Sequence, residues 1–376
     1  MSKTTQIVLS GYYGFDNIGD EAVLYAILSA LRKTIKDVEV TVLSNNPDKT
    51  KALYGVKSVN RWNLKEVAKA VKASDMLISG GGSLLQDTTS GKTIPYYLAI
   101  VKIAQFYKKK VVFYSQGIGP VNKGISKWLI KKVVNKVDAI YVRDTSSKRL
   151  LEEIGIKKPV GAALDPVLGI EVAKESIIRP ERKTVGVYIR PWMDEAHDKN
   201  LINSMISGLV YLIEKGYRVC FIPMHYEQDR EITSKLARKV KKAAIQEENI
   251  EAKQLENSIE VLDKMLSIHE VMNYTAGFEM VIGMRLHSLI MAVASKVPVL
   301  ALSYDPKVTE FMKEMELKDC LNTNELTEEN FYNAVKEVEA HREAQKEHLC
   351  RVFKKKKSRI DLPIEYIKRI MSTTKK

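Results

Sequence analysis

The chain has 376 residues, of which 45% are hydrophobic, and a formal net charge of +14 at pH 7. This length predicts two domains with proper cores, and no apolar run approaches the roughly 20 residues of a membrane-spanning helix. No leader with a basic start and an apolar middle opens the chain, and its three cysteines are scattered. We therefore expect a cytoplasmic protein without disulfides or a zinc cluster.

The positive charge is concentrated in two segments. Residues 102–136 contain nine lysines and no acidic residue, and residues 341–376 contain twelve Lys or Arg against four Asp or Glu. Localised positive charge predicts an anionic partner, either nucleic acid or lipid head groups. The alternative is a solvated surface that only aids solubility.

Apolar strands and helical patterns alternate along the first half of the chain. The predicted strands are 6–10, 38–44, 76–79, 111–115 and 139–142, and the predicted helices are 21–33, 95–107 and 125–137. This alternation is typical of a doubly wound parallel sheet. Glycine-rich turns follow three of the strands, at 11–19, 80–82 and 117–119, where glycine allows a ligand to approach the backbone. Tight turns also use glycine without any ligand, so each turn alone is weak evidence.

The second half repeats the pattern after a polar stretch that contains Pro180. Its predicted strands are 184–189, 218–223, 281–284 and 297–303. We predict a first Rossmann-like domain at 1–172, a linker at 173–183, a second Rossmann-like domain at 184–345 and a basic tail at 346–376. A helix at about 362–371 in this tail is a candidate for packing back on the first domain.

Arg285 and His287 fall at the junction between a buried strand (280–284) and an apolar helix (289–294). Open α/β sheets bind ligands where strands end, and the amino ends of helices favour anions. A fixed cation beside a titratable imidazole predicts chemistry on an anionic small molecule. The alternative is that Arg285 forms a salt bridge and His287 caps the helix.

Further basic residues follow other predicted strands, namely Arg143, Arg190, His225 and Lys307. A salt bridge is the default role of any one of them. Several cations at one edge, with Arg285, predict an anionic ligand that carries more than one charged group. In the first loop, Asp16, Asn17 and Asp20 are suited to bind sugar hydroxyls or to accept a proton, although Asp20 is also a good N-cap for the next helix.

Five motifs in a fixed order resemble the polysaccharide pyruvyl transferase family. They are GFDNIGDE at 14–21, GGGSLLQD at 80–87, QGIGP at 116–120, RD at 143–144 and GMRLHS at 283–288. The similarity spans about residues 5–310 and is closest to the branch that pyruvylates the bacterial secondary cell wall polymer. It implies a GT-B-like fold, in which two Rossmann-like domains face a cleft.

The resemblance also implies a reaction. Pyruvate from phosphoenolpyruvate would form a 4,6-ketal on the N-acetylmannosamine of a lipid-linked disaccharide diphosphate, with release of phosphate and no cofactor or metal. His287 would be the general acid. The donor would be bound by Arg285, Leu286, Lys307 and Arg143. We add Arg190 as a helper because of its position after a predicted strand. We assign the acceptor side to Asp16, Asn17, Asp20, Gly81, Gly82, Ser83, Gln116 and His225.

The predicted helix at 125–137 carries Trp128 among lysines. A basic amphipathic helix with a tryptophan fits the inner leaflet of a membrane, as a lipid-linked acceptor would require. The alternative is an ordinary helix that packs its apolar side on the sheet. Two other functions remain open, a nucleotide-sugar glycosyltransferase of the same fold and a basic nucleic-acid-binding protein. No zinc finger or RNA-binding motif is recognisable, so nucleic acid is not the expected partner.

Overall fold

The computed structural model describes residues 4–88 and 90–373. The chain divides into two compact units, one formed by Met1–Gly169 with Lys356–Lys376 and the other by Ile170–Lys355. The predicted linker at 173–183 belongs to the second unit and contains the short 3-10 helix Lys174–Ser176. The outermost parts of the predicted domains, 1–3 and 374–376, and position 89 lie outside the described residues.

The first unit alternates strands and helices, as its hydrophobic runs predict. Its strands are β1 (Thr5–Tyr13), β2 (Val38–Ser44), β3 (Lys57–Asn60), β4 (Met76–Gly80), β5 (Ser83–Leu85), β6 (Lys110–Ile118), β7 (Ala139–Val142) and β8 (Val160–Ala162). Its helices are α1 (Ile18–Thr34), α2 (Pro47–Tyr54), α3 (Leu64–Ala73), α4 (Thr93–Phe106), α5 (Gly124–Val134) and α6 (Thr145–Ile154). The 3-10 helix Pro166–Gly169 follows them.

The strands of the first unit form a parallel sheet in the order β3-β2-β1-β4-β6-β7-β8, with β5 paired to β6. Every residue of β4 is buried, which is typical of a central strand covered by helices on both faces. Because neighbouring strands are parallel, the loops after β1, β4, β6 and β7 meet at one edge of the sheet. That edge carries the glycine-rich turns of the sequence.

The second unit has the same alternation. Its strands are β9 (Thr184–Tyr188), β10 (Arg218–Phe221), β11 (Ile259–Val261), β12 (Met280–Gly283), β13 (Val299–Ser303) and β14 (Cys320–Asn322). Its helices are α7 (Glu195–Glu214), α8 (Tyr226–Gln246), α9 (Ala252–Leu255), α10 (Ile268–Ala276), α11 (Leu286–Ala294), α12 (Pro306–Glu314) and the start of α13 (Glu328–Thr373). The strands are parallel in the order β11-β10-β9-β12-β13-β14.

Helix α13 is much longer than the helix that the sequence predicts at 362–371. It runs through Pro363 and has a kink at His341. Its residues from Lys356 onward belong to the first unit, where Arg359 donates to the carbonyl oxygens of Ala162 and Ala163 at 3.0 and 3.2 Å. Proline favours a helix start, which is why the pattern alone places the beginning near 362. In the described part of the chain, no helix has both the length and the apolar character needed to cross a bilayer.

Candidate functional site

The carboxyl edge of the second sheet gathers most of the predicted donor-binding residues. Strand β12 lies between β9 and β13. Arg190 follows β9, Arg285 follows β12, and Lys307 lies in the first turn of α12 after β13. Neighbouring parallel strands end at the same edge, so the topology brings these three basic residues to adjacent positions.

Arg285 is held by a fully buried carboxylate. Its Nε and Nη2 donate to the two oxygens of Asp229 at 3.1 and 2.5 Å. Asp229 has 0% of its side chain exposed and Arg285 has 14%. The salt bridge that the sequence analysis gave as the alternative role of Arg285 is therefore present. A two-point contact of this kind fixes the direction of the guanidinium plane.

Asp229 also fixes the start of α8. Its Oδ2 accepts the backbone N–H of His225, the N-cap residue of that helix, at 2.9 Å. His225, which the sequence assigned to the acceptor side, thus lies in the second unit with Arg285. Within the described residues, its buried Nδ1 has no hydrogen-bond partner.

His287 lies in the first turn of α11 and is half-buried. The alternative that His287 caps this helix is wrong, because the N-cap position is occupied by Arg285. The carbonyl of Arg285 accepts the Ser288 hydroxyl at 2.6 Å, which tightens the turn. Gly283 permits this geometry, since a Cβ there would lie 2.8 Å from the Ser288 hydroxyl and 2.7 Å from Leu289. These contacts explain the GMRLHS spacing: the glycine brings α11 close to the end of β12.

Arg190 and Tyr304 connect the loops on either side of β12. The Arg190 Nη1 donates to the Tyr304 hydroxyl at 3.2 Å, and its guanidinium carbon is 5.0 Å from the centre of the ring. Lys307 lies nearby in sequence, where its Nζ is 4.0 Å from Asp305, the N-cap of α12. Tyr304 therefore contacts Arg190 through one hydrogen bond and its ring, whereas Asp229 holds Arg285 through two hydrogen bonds.

Arg143 belongs to the first unit, unlike the other predicted donor-binding residues. It is buried, donates to the Ser83 hydroxyl at 3.1 Å, and lies 3.5 Å from both Asp144 and Asp165. A Cβ on Gly117 would lie 2.9 Å from its Nε, so the glycine of the QGIGP motif makes room for this side chain. Two carboxylates already balance the charge of Arg143, which fits the default role of a salt bridge.

These contacts affect the ionisation of Asp144. Burial opposes the charged form, but Arg143 and the hydrogen bonds from Ser147 outweigh it and hold the pKa of Asp144 below its usual value. Gln116, assigned to the acceptor side, is also buried and accepts the Ser79 hydroxyl at 3.1 Å. This part of the first sheet edge is thus a packed polar network.

The first glycine-rich loop differs from its prediction in one respect. The N-cap of α1 is Asn17, whose side chain accepts the N–H of Gly19 at 3.0 Å, and the expected cap at Asp20 is wrong. The helix begins earlier because Asn17 is extended and positioned to accept that bond. Asp16 forms an ion pair with Lys49 at 2.6 Å.

The Asp20 carboxylate lies beside the second glycine-rich turn. A Cβ on Gly82 would lie 2.9 Å from an Asp20 carboxylate oxygen, and one on Gly81 would lie 1.9 Å from Val23. Both glycines have left-handed φ angles, of +73° and +61° for Gly81 and Gly82. The turn therefore needs glycine for its conformation as well as for space. Asp20 thus lies beside Gly82, and Asn17 caps the helix that carries Asp20. We call Asn17, Asp20, Gly81 and Gly82 the Asn17 corner, a polar corner of the first unit.

The sequence analysis did not identify two residues of the second unit that contact predicted site residues, Asp229 and Tyr304. Asp229 lies four residues after His225, the spacing of one helical turn, and this signal could have identified it. Tyr304 follows β13 directly and could have been included for the same reason as Lys307. Within the described part of the chain, no group of three His, Cys, Asp or Glu side chains is arranged to hold a metal ion.

Comparison with solved structures confirms the predicted GT-B-like α/β fold. The putative UDP-N-acetylglucosamine 2-epimerase of Listeria monocytogenes is 12% identical, with a TM-score of 0.62 over 92% of this chain and 91% of that protein. The E. coli ADP-heptose lipopolysaccharide heptosyltransferase II is 11% identical, with a TM-score of 0.51 over 90% of this chain and 100% of that protein. At these identities the likeness concerns the fold alone.

Comparison of sequences is informative about the family. The amylovoran biosynthesis protein AmsJ of Erwinia amylovora is 22% identical, and the match covers 84% of this chain and 87% of that protein. Residues 17–306 match the family described as polysaccharide pyruvyl transferase. This range includes the Asn17 corner, Arg143, the GMRLHS junction and the residues around β13. The chain therefore belongs to the polysaccharide pyruvyl transferase family, whose members are enzymes that transfer pyruvate to polysaccharides.

Proposed function

We propose that this enzyme transfers pyruvate from phosphoenolpyruvate to the N-acetylmannosamine of a lipid-linked disaccharide diphosphate. The product is a 4,6-ketal for cell wall polymer biosynthesis, and phosphate is released. One observation carries the proposal: the carboxyl ends of the neighbouring strands β9, β12 and β13 are followed by Arg190, Arg285 with His287, and Lys307.

The donor carries a carboxylate and a phosphate on a small enol, so its binding requires several cations. Arginine matches either group with two parallel hydrogen bonds, whereas lysine acts as a point charge. In the proposed site, Arg285 and Lys307 bind the charged groups, and Arg190 assists from the neighbouring loop. Leu286, the first residue of α11, contributes apolar surface beside the methylene group. A donor role for Arg143 is less well supported, because its two carboxylate neighbours already compensate its charge.

His287 is the proposed general acid. Protonation of the donor's methylene carbon forms a methyl group and leaves an oxocarbenium-like centre at the carbon that bears phosphate. One sugar hydroxyl attacks that carbon, phosphate leaves, and a second hydroxyl closes the ketal with loss of the remaining proton. The amino end of α11 disfavours imidazolium, whereas a bound phosphate dianion favours it. We therefore expect donor binding to charge His287.

The acceptor is assigned to the polar corner of the first unit. Asn17, Asp20, Gly81 and Gly82 offer an amide, a carboxylate and backbone N–H groups for sugar hydroxyls. Asp20 is the preferred base for the attacking hydroxyl. Asp16 is the weaker choice because it is already paired with Lys49.

A second part of the proposal concerns location. Ile125 and Trp128 on α5 and Phe106 at the end of α4 are each more than half exposed, among the lysines of segment 102–136. The Nζ of Lys132 lies 4.6 Å from the centre of the Trp128 ring. Exposed apolar side chains among lysines suit an anionic membrane surface. The enzyme would therefore act in the cytoplasm, bound peripherally to the inner leaflet.

The reaction class is tested by following the leaving group. Purified enzyme is incubated with phosphoenolpyruvate, with and without a synthetic lipid-diphosphate disaccharide that contains N-acetylmannosamine. Acceptor-dependent release of inorganic phosphate is expected. Release of a nucleotide from UDP-N-acetylglucosamine, without consumption of phosphoenolpyruvate, would instead support the glycosyltransferase alternative.

A further inference from the structure

Five aromatic rings of the first unit surround one arginine, Arg61. It follows β3, and the rings come from the end of β1, the loops after β1 and β3, and the first turn of α4. The guanidinium carbon lies between 4.6 and 6.0 Å from the ring centres of Tyr12, Phe15, Trp62, Tyr96 and Tyr97. We call these five residues and Arg61 the Arg61 aromatic cluster.

Arg61 is the fixed centre of the cluster. It is 3% exposed, and it donates to the Gly11 carbonyl at 2.9 Å and the Tyr97 hydroxyl at 3.1 Å. Among the described residues, no carboxylate forms an ion pair with Arg61, and its buried Nε has no hydrogen-bond partner. A buried charge without a counter-ion is costly, and aromatic faces offset part of that cost. The charge therefore holds the rings in place.

The outer side of the cluster is open to solvent. Trp62 is 59% exposed and Tyr12 is 41% exposed. Tyr12 stacks on Phe15 with ring centres 4.0 Å apart and planes 5° from parallel. The indole N–H of Trp62 donates to the Asn45 side chain at 2.9 Å. These contacts order the exposed rings before any ligand binds, which reduces the entropy lost on binding. Clustered exposed aromatic rings are typical of a binding site.

The polar groups beside the rings indicate the kind of ligand. Asn45 follows β2, between β1 and β3 in the sheet, and Asp16 follows Phe15. The Asp20 carboxylate is near enough to Tyr12 to add to the effect of burial in raising the pKa of that phenol. Amide and carboxylate groups around an apolar platform suit a molecule with an apolar face and hydroxyl groups on its rim. A pyranose ring has that character, whereas a prenyl chain does not use the polar rim.

We propose that the Arg61 aromatic cluster is a sugar subsite, in which Trp62 and Tyr12 stack against one pyranose ring of the acceptor. The assignment of that ring to the acceptor rests on the proposed function. Arg61 is a positioning residue that does not touch the sugar. The same sheet edge carries Asp20, so a ring stacked here lies next to the corner assigned to the reacting hydroxyls.

The test is a binding titration without phosphoenolpyruvate. The probe is a synthetic N-acetylmannosaminyl-N-acetylglucosamine diphosphate with a short alkyl chain, and its Kd is measured by calorimetry. Trp62→Ala is expected to raise the Kd roughly tenfold, because a stacked aromatic contact is lost. Trp62→Phe is expected to restore most of the affinity. Leu64→Ala removes a neighbouring exposed apolar side chain without a ring and is expected to leave the Kd unchanged.

A kinetic arm uses the same three variants, after their folding is checked by circular dichroism and thermal melting. Trp62→Ala should raise the acceptor KM, with little change in kcat or donor KM. Equal probe affinity for the wild-type protein and Trp62→Ala would overturn the subsite. An equal loss of affinity for an alkyl diphosphate that lacks both sugars would overturn it as well, since the surface would then bind the diphosphate.

The two proposals fail in different ways. Intact pyruvyl transfer with Trp62-independent acceptor binding contradicts the subsite alone. Trp62-dependent binding of the disaccharide, without any pyruvyl transfer by the wild-type protein, contradicts the proposed function and leaves a sugar subsite in place.

Discussion

At the scale of single residues, the geometry of Arg285 depends on a carboxylate that solvent does not reach. Asp229 accepts two hydrogen bonds from the guanidinium and a third from the backbone of His225. This arrangement reduces the net charge of the site but fixes the direction of Arg285. An arginine that is already oriented loses less side-chain entropy when an anion binds.

Replacing Asp229 tests this dependence. Asp229→Asn leaves the largely buried Arg285 without its counter-ion, and we expect a loss of about 3 kcal/mol in the free energy of unfolding. The KM for phosphoenolpyruvate should also rise, because the guanidinium is no longer held. Urea unfolding and steady-state kinetics measure the two effects. Glu231→Gln on the same helix is the control, because its ion pair with Lys235 is exposed. Equal stability of Asp229→Asn and the wild type would contradict this role.

The second prediction at this scale concerns His287. His287→Gln keeps a polar side chain of similar size but removes the acid, and we expect kcat to fall by about 100-fold or more. Donor affinity should fall only severalfold, because the contact between phosphate and charged His287 is lost while the basic residues that bind the donor remain. Phosphate release gives kcat, and equilibrium dialysis with labelled phosphoenolpyruvate gives donor affinity. A variant with wild-type kcat would remove His287 from the chemistry.

At the scale of elements, the sequence predicts best where one run of residues determines the structure. The apolar run before Arg285 is a buried strand and the apolar run after His287 is a helix, so their junction was predictable. The cap of α1 was misplaced because Asn17 and Asp20 are both good capping residues, and only the path of the loop decides between them.

The Arg61 aromatic cluster shows where local patterns stop being informative. Its members come from residues 12–15, 61–62 and 96–97, which meet only because β3, β2 and β1 are neighbours in the sheet. No spacing in the sequence signals that contact. Asp229 is an intermediate case, because its distance from His225 is local but its contact with Arg285 requires the sheet order.

Helix α10 permits a pH test of a single element. Its capping box joins Ser267 and Glu270. Hydrogen bonds from the Ser267 backbone and from Lys264 outweigh burial and lower the pKa of Glu270 from 4.5 to about 2. A lowered carboxyl pKa stabilises the folded state above pH 4.5, and this stabilisation is lost as the pH falls towards 2.

Glu270→Gln is therefore expected to melt below the wild type at pH 6. Because this carboxylate is partly exposed, we expect a difference of only about 1–2 °C. The difference should shrink as the pH is lowered from 4.5 towards 2. Thermal melts followed by circular dichroism across that range measure it. A difference that stays constant with pH would show that the charge of Glu270 is not the cause.

At the scale of the whole molecule, the positions of basic residues along the sequence showed where the charge is concentrated. The alternation of predicted strands and helices indicated two α/β halves, and the ordered motifs indicated the family. The sequence alone could not decide what the basic segment 102–136 contacts. The exposure of Phe106, Ile125 and Trp128 is the structural observation on which the proposed membrane contact rests.

Liposome flotation tests the membrane contact. We expect the protein to float with anionic vesicles at low salt, and to remain in the bottom fraction when the vesicles are neutral. Added salt should weaken the binding to anionic vesicles by screening. Trp128→Ala should reduce the bound fraction. Leu64→Ala, which removes an exposed apolar side chain outside segment 102–136, should not. Absence of binding to anionic vesicles at low salt would end the membrane proposal.

The central claim is that this chain forms a pyruvate ketal from phosphoenolpyruvate. Its most direct test is mass spectrometry of the synthetic lipid-diphosphate disaccharide after incubation with the purified enzyme and phosphoenolpyruvate. We predict that the acceptor gains the mass of one pyruvyl ketal, and that His287→Gln slows this gain by about 100-fold or more. An unmodified acceptor after prolonged incubation, with folded enzyme that binds both substrates, would contradict the account.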